Sequence, residues 1–194
     1  MFGSEISITQ GVVSRIQLQR YSYSDVNLLS VQTDSAVNPG NSGGPVLDSN
    51  NLVVGIAFQT LSNKDTDHVG EFIPCCVFER FLKSDACNGE LIQVPGISFY
   101  WQTLESKSMR AALGLDALQE PNNSGVYVIS VTSFGSVADV LREGDVIVTV
   151  DGVSVGNQGT IPFRAFRVGF SHLFTSRAVG DEINVGIVRD GARM

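Results

Sequence analysis

The stretch Gln32-Thr33-Asp34-Ser35-Ala36-Val37-Asn38-Pro39-Gly40-Asn41-Ser42-Gly43-Gly44-Pro45-Val46 constrains this chain more than any other. One serine sits in a run of small residues, flanked by glycines and prolines. A serine hydroxyl is a weak nucleophile at its free pKa and needs a neighbouring base to attack a carbonyl. It also needs donors for the developing oxyanion, and backbone N–H groups can supply them. Gly40 lets the chain turn sharply enough to aim its own N–H and that of Ser42 at one point. Gly43 and Gly44 leave room for a substrate, and Pro45 ends the turn before the apolar pair Val46-Leu47. The plainer alternative is a glycine-rich hairpin loop whose serine only caps a turn.

Gly40-Asn41-Ser42-Gly43-Gly44 also fits Gly-x-Ser-x-Gly, the nucleophile elbow of α/β-hydrolases. That motif needs a helix directly after the serine. Here Pro45 and an apolar strand follow, then a turn at Asp48-Ser49-Asn50-Asn51, so the context excludes the elbow.

The 194 residues allow one domain or two. A hydrophobic content of 43% against 17% charged residues describes a globular chain with a core. The net charge of −7 speaks against nucleic-acid binding. No apolar run reaches membrane-span length. The start, Met1-Phe2-Gly3-Ser4-Glu5, has neither signal-peptide nor basic transit character, so any targeting segment is expected upstream. Cys75, Cys76 and Cys87 lack zinc spacing and read as free buried thiols in a reducing compartment. No metal or organic cofactor is implied.

Residues 6–18 alternate apolar and polar with a break at Gly11, as two short strands or one bent strand would. Residues 20–28 form a polar loop, and strands are expected at 28–32, 45–47, 52–58 and 72–73, with a polar loop at 59–70 and a short helix at 77–82. Many short strands without a long helix indicate a β-barrel. A polar, turn-rich link follows at 83–95. Beyond it the pattern gives strand 97–103, helix 106–113, strand 125–131, short helix 136–141, strands 145–150 and 153–155, helix 162–175 and strand 183–189. The helix at 162–175 would place Phe163, Phe166, Phe170, Leu173 and Phe174 on one face. Arg189-Asp190-Gly191-Ala192-Arg193 reads as the turn of a hairpin whose second strand is absent.

The serine run resembles the active-site signature of chymotrypsin-like serine proteases, in the form Gln-Thr-Asp…Asn-Pro-Gly-Asn-Ser-Gly-Gly-Pro used by the HtrA/Deg branch. The second half resembles a PDZ domain in the permuted order of that branch. Arg142-Glu143-Gly144-Asp145-Val146-Ile147 with Asp151-Gly152 matches its hairpin. Gly159-Thr160-Ile161-Pro162-Phe163-Arg164, Gly169-Phe170-Ser171 and Gly180-Asp181 are similar to the plant-type Deg proteases. The resemblance implies a mainly β chain, the C-terminal β-barrel of a chymotrypsin-like (trypsin-like) protease followed by a small α+β PDZ domain. The expected division is barrel 1–82, linker 83–95 and PDZ-like module 96–194 with its C-terminal strand truncated.

By that resemblance Ser42 is the nucleophile and Gly40 an oxyanion donor. Ala36 lies at the base of the specificity pocket, and the edge strand Gly55-Ile56-Ala57-Phe58 pairs with extended substrate, although an ordinary core strand fits those residues equally well. A carboxylate nest for peptide C-termini falls on Val94-Pro95-Gly96-Ile97-Ser98-Phe99, where Ser98 replaces the family's glycine and would be strained if positive φ were needed there. The Phe163, Phe166 and Phe170 side chains read mainly as core.

The family's base and orienting aspartate precede the serine, yet residues 1–41 contain no histidine. His68 follows the serine and reads as a solvated loop residue, and His172 as structural. The chain therefore reads as part of a longer protease, inactive alone, with an apolar barrel face left uncovered. Two functions remain: an HtrA/Deg-type serine endopeptidase of protein quality control, or a catalytically inactive peptide-binding or assembly module. The resemblance implies unfolded or damaged proteins and peptide C-termini as partners and homo-oligomers on the family's trimer pattern, while the charge and the apolar run lengths imply no nucleic acid and no membrane span. A plant-type origin would imply chloroplast or nucleus.

Overall fold

The computed structural model describes residues 8–22, 24–38, 40–61, 69–83, 93–118 and 123–194. The chain separates into two compact units, Met1–Ile92 and Gln93–Met194.

The first unit is an antiparallel sheet of five strands, β1 (Val13–Arg20), β2 (Asn27–Thr33), β3 (Pro45–Leu47), β4 (Val53–Leu61) and β5 (Val69–Pro74), in the order β1-β2-β5-β4-β3. Helix α1 (Cys75–Lys83) follows directly. β2 lies inside the sheet and is buried on both faces: Leu28, Leu29, Ser30 and Val31 are all covered. The Asp48 turn between β3 and β4 is built by its side chain, whose Oδ1 accepts from the N–H groups of Asn50 (2.8 Å) and Leu52 (2.9 Å). Those two bonds, the one from Leu52 foremost, hold the carboxyl below its usual range. Tyr21 closes the β1–β2 hairpin, its hydroxyl donating to the Leu29 carbonyl at 2.6 Å. Burial pushes that phenol's pKa up, with the nearby Cys76 thiol and Glu71 carboxyl adding to the effect.

Two expectations change here. Residues 59–70 contribute strand at both ends, since β4 runs to Leu61 and β5 starts at Val69. The cysteines are not uniformly buried: Cys75 is half-buried and gives its thiol to the Val53 carbonyl, while Cys76 is exposed. Cys87 lies outside the described residues.

The second unit contains β6 (Phe99–Thr103), α2 (Lys107–Ala112), a single turn at Leu115–Ala117, β7 (Val126–Val131), β8 (Val146–Val150), β9 (Val153–Ser154), β10 (Thr160–Phe163), β11 (Phe166–Gly169), α3 (His172–Thr175), β12 (Val185–Arg189) and β13 (Ala192–Arg193). One sheet runs β13-β12-β8-β7-β6, with β9 paired to β8, and β10-β11 form a separate ribbon. The Asp151-Gly152 pair turns β8 into β9 in the left-handed region, at φ 48° and 77°, as hairpin chemistry requires. Strand β8 is buried throughout, and Val146 and Val148 pack with Leu104, Leu115 and Val188.

The helix expected over 162–175 does not form. Residues 160–169 are a hairpin in which Phe163 faces Phe166, and only His172–Thr175 is helical. Pro162 cannot donate within a helix and Arg164 sits at φ 53°, a turn conformation. The i, i+3, i+7 spacing of Phe163, Phe166 and Phe170 therefore imitates a helix face without making one. The helix expected at 136–141 is replaced by successive turns, Ala138 to Gly135, Val140 to Val137 and Leu141 to Val137. After Arg189 the chain turns, and the two-residue β13 pairs Ala192 back with Arg189.

Phe170, fully buried, does the packing instead. It stands edge-on to Trp101 at 5.1 Å and to Phe174 at 6.2 Å, with Phe99 alongside at 6.5 Å. Phe170→Ala should cost the second unit about 3–5 kcal/mol. Urea unfolding followed by Trp101 fluorescence reads this directly, because Trp101 is the chain's single tryptophan. His172, edge-on to Phe163 at 5.2 Å, has its pKa lowered by burial. The unfolded chain then binds more protons, so stability is retained above the ordinary histidine range and lost as pH falls from it toward the lowered value. Melting the protein between pH 7.5 and 5.5 should show this decline in the Trp101 transition, and His172→Phe should flatten it.

Candidate functional site

The serine loop connects β2 to β3 and is held by short-range turns. The Asn41 N–H donates to the Asn38 carbonyl (3.0 Å) and the Gly44 N–H to the Asn41 carbonyl (2.9 Å). Gly40 and Gly43 adopt φ of 104° and 85°, a region that a side chain makes costly. The loop is then stitched to β4: the Gly43 N–H donates to the Ala57 carbonyl at 2.7 Å, and the Ala57 N–H to the Gly44 carbonyl at 2.9 Å. Ser42 is exposed at the apex. Among the described residues, neither the Gly40 nor the Ser42 N–H is taken by a protein acceptor, and Ser42 Oγ has no hydrogen-bond partner. His68, the one histidine of the first unit, lies outside the described residues.

The approach to the loop is close-packed. A Cβ on Gly70 of β5 would collide with the Ser35 carbonyl oxygen and crowd Val37 Cγ2, so β5 can pass beneath the loop's first turn only with glycine there. Ala36, the residue assigned to the specificity pocket, is half-buried in the same turn.

The edge-strand reading of Gly55, Ile56 and Ala57 requires correction. Gly55 and Ile56 pair with Val46 and Pro45 of β3 on one side and with Pro74 and Ile73 of β5 on the other. Ala57 is bonded to the loop itself. The strand is interior along these residues because β3 turns back onto it. Past Ala57, β4 keeps β5 as its neighbour, but no strand among the described residues pairs with it on the β3 side. The open edge therefore begins at Phe58, the last residue of the expected stretch, and continues at Gln59. Strand order decides this, and local sequence does not carry it.

In the second unit, Gly96, Ile97 and Ser98 lead into β6, which is the edge of its sheet. Ile97, Phe99, Tyr100, Trp101 and Thr132 line a pocket of about 300 Å³. Phe99 is buried, but Tyr100 is 70% exposed. Ser98 is not among the residues at positive φ, so the strain expected of it is absent. Its carbonyl accepts from the Thr132 N–H at 2.8 Å, and its hydroxyl is buried against Gly135 without a partner.

A family model described as a trypsin-like peptidase domain matches residues 2–56, the stretch that carries this loop. The chain is 39% identical over 190 residues to protease Do-like 2, chloroplastic, of Arabidopsis thaliana, which takes in 97% of this chain and 30% of that protein. The chain is related to the HtrA/Deg serine proteases. The Do-like HtrA serine protease of Bacillus subtilis is 30% identical over 202 residues, covering 99% of this chain and 42% of that one. Among solved structures, the HtrA-type protease AlgW with tripeptide superposes over the whole chain with a TM-score of 0.69 at 25% identity, covering 59% of that protein. The chain thus spans less than half the length of these Do-like relatives, and its mainly β architecture matches that of HtrA-type protease structures, with the trypsin-like match falling in the first unit. No helix among the described residues is long and apolar enough to cross a membrane.

The loop's dependence on glycine is testable. Gly43→Ala places a Cβ at φ 85°, in open space but in a disfavoured conformation. A cost of about 1–2 kcal/mol is expected from the backbone alone, read as a lower melting temperature of the first unit by circular dichroism.

Proposed function

We propose that this chain carries the nucleophile and the peptide-binding module of a serine endopeptidase that acts on unfolded or damaged proteins. The observation that carries the reading is the serine loop: an exposed Ser42 between two N–H groups left without protein acceptors, on a loop bonded to the strand whose open edge begins one residue later. Ser42 Oγ would attack the scissile carbonyl of a peptide lying along Phe58 and Gln59. The N–H groups of Gly40 and Ser42 would receive the oxyanion, a donor pair in which each member is typically worth about 2.7–4 kcal/mol of barrier. Half-buried Ala36 in the pocket favours small or medium apolar side chains over basic ones. The general base and its orienting aspartate come, in the order of the HtrA/Deg family, from residues ahead of the serine. Residues 1–41 hold no histidine, and on this reading the base belongs to a longer protein of which this sequence is part.

The second unit reads as a permuted PDZ module, with residues 96–194 as its extent and 83–95 as the link. Its edge strand β6 would take a peptide C-terminus as an added strand, with the apolar side chain entering the pocket at Ile97 and Trp101. A second reading, a catalytically inactive peptide-binding or assembly module, is favoured by the lack of any partner for Ser42 Oγ among the described residues. Titration with casein separates the two. Residues 1–194 alone should give no turnover. The longer protein with an upstream histidine and aspartate should cleave, and Ser42→Ala should lower its rate by orders of magnitude without changing its fold. Absence of cleavage by that longer protein would leave the inactive module as the function.

For the second unit, calorimetry with a peptide ending in an apolar residue should give a Kd of about 100 µM, roughly −5.5 kcal/mol. The C-terminal amide of the same peptide should bind more weakly, because it lacks the charge that converging N–H groups stabilise. Ser98→Gly should not tighten binding, since the backbone there is already relaxed. Equal affinity for acid and amide would show that the groove does not read C-termini.

A further inference from the structure

Glu71, in the middle of β5, has no exposed surface. Its Oε1 accepts from Gln32 Nε2 of β2 at 2.9 Å, and its Oε2 from Gln59 Nε2 of β4 at 2.7 Å. The strand register places the three side chains opposite one another in a single row, Gln32 across from Glu71 and Glu71 across from Gln59. Among the described residues no lysine or arginine pairs with the carboxyl. Burying a carboxyl group away from a cation opposes folding, and only its hydrogen bonds offset that cost. Two amides from opposite neighbours do so here, and they tie together strands that do not touch.

Those two strands hold the serine loop. β2 runs into it through Gln32, Thr33 and Asp34, while β4 bonds it at Ala57 and carries the open edge at Gln59. β5 lies between them, and the residue before Glu71 is the glycine beneath Ser35. We infer that Glu71 is a positioning residue: its bonds to Gln32 and Gln59 fix the spacing of β2 and β4, and through it the seat of the Ser42 loop and the strand edge beside it. The inference rests on the protease reading for its purpose, but its geometry is independent of any reaction.

The test measures the loop rather than turnover. Glu71→Leu keeps the bulk but offers no acceptor, so the flanking amides lose their partner. Amide hydrogen exchange by NMR at the Gly43 and Ala57 N–H groups should then quicken by about tenfold, the change expected when one ordinary hydrogen bond is lost. The Ile16 and Leu18 amides of β1 should not follow. Glu71→Gln is the restoring variant: its oxygen accepts from Gln32 and its nitrogen donates to Gln59 Oε1 once that amide turns over, and the Gln59 nitrogen then donates to Ser22 Oγ, which now donates to Gln59 Oε1 at 2.5 Å. Glu71→Gln should therefore keep both loop amides at their original rates. Should Glu71→Leu fail to fold, Gln59→Ala, which cuts one arm only, must loosen the same two amides first. Exchange that rises equally in β1, loop amides that do not respond, or a Glu71→Gln variant that loosens them as Glu71→Leu does would each overturn the inference. An absence of proteolysis by the longer protein would overturn the protease reading and leave these rates as expected.

Discussion

Two backbone hydrogen bonds at Ala57 hold the serine loop against the sheet, and the arrangement of the first unit follows from them. They use main-chain groups only, so they demand close approach, and small residues at 43, 44 and 57 permit it. The loop is consequently fastened to β4 although it grows out of β2, with β5 between the two. Its shape depends on how three strands are spaced, not on the loop sequence alone. That dependence explains why crowding at Gly70 and the buried carboxyl at Glu71 matter to a serine they never touch.

The second unit is held differently. Its core holds an aliphatic cluster around Val146 and Val148 and an aromatic one in which Phe170 joins Trp101, Phe99 and Phe174. Within it stands one buried ion pair: Asp145, 1% exposed, receives two bonds from Arg189 at 2.7 Å each and a third from the Arg142 N–H. A pair of this kind contributes little net stability over an apolar substitute, but each partner becomes costly without the other. It therefore selects one arrangement of the turn at 142–145 and β12 more than it strengthens it.

Much of this was legible in the sequence where the chemistry is local. The serine loop, the Asp48 turn and the Asp151-Gly152 hairpin are set by glycines and short polar side chains acting on their own backbone. The mainly β character and the general run of strands followed from alternation and turn residues. Errors arose where the pattern was shared by two structures. Phe163, Phe166 and Phe170 satisfy a helical period, yet Pro162 and the turn at Arg164 convert them to a hairpin. Gly55, Ile56 and Ala57 read as an edge, because only strand order reveals that β3 folds back over them. Glu71 left no signal, since a glutamate among alternating residues reads as the solvent side of a strand. Only the arrival of Gln32 and Gln59 from two other strands makes it interior.

The Asp145–Arg189 pair has a consequence for how the second unit would come apart. Its members lie 44 positions apart, one beside a turn and the other on β12. Proteolytic trimming that removed β12 would not merely shorten the sheet; it would strand a negative charge in the interior with nothing but one N–H to answer it. Such a remnant would be driven to open rather than to fray from its end. Loss of β12 thus weighs on the second unit beyond the strand pairing itself, by the cost of a buried carboxylate left without its cation.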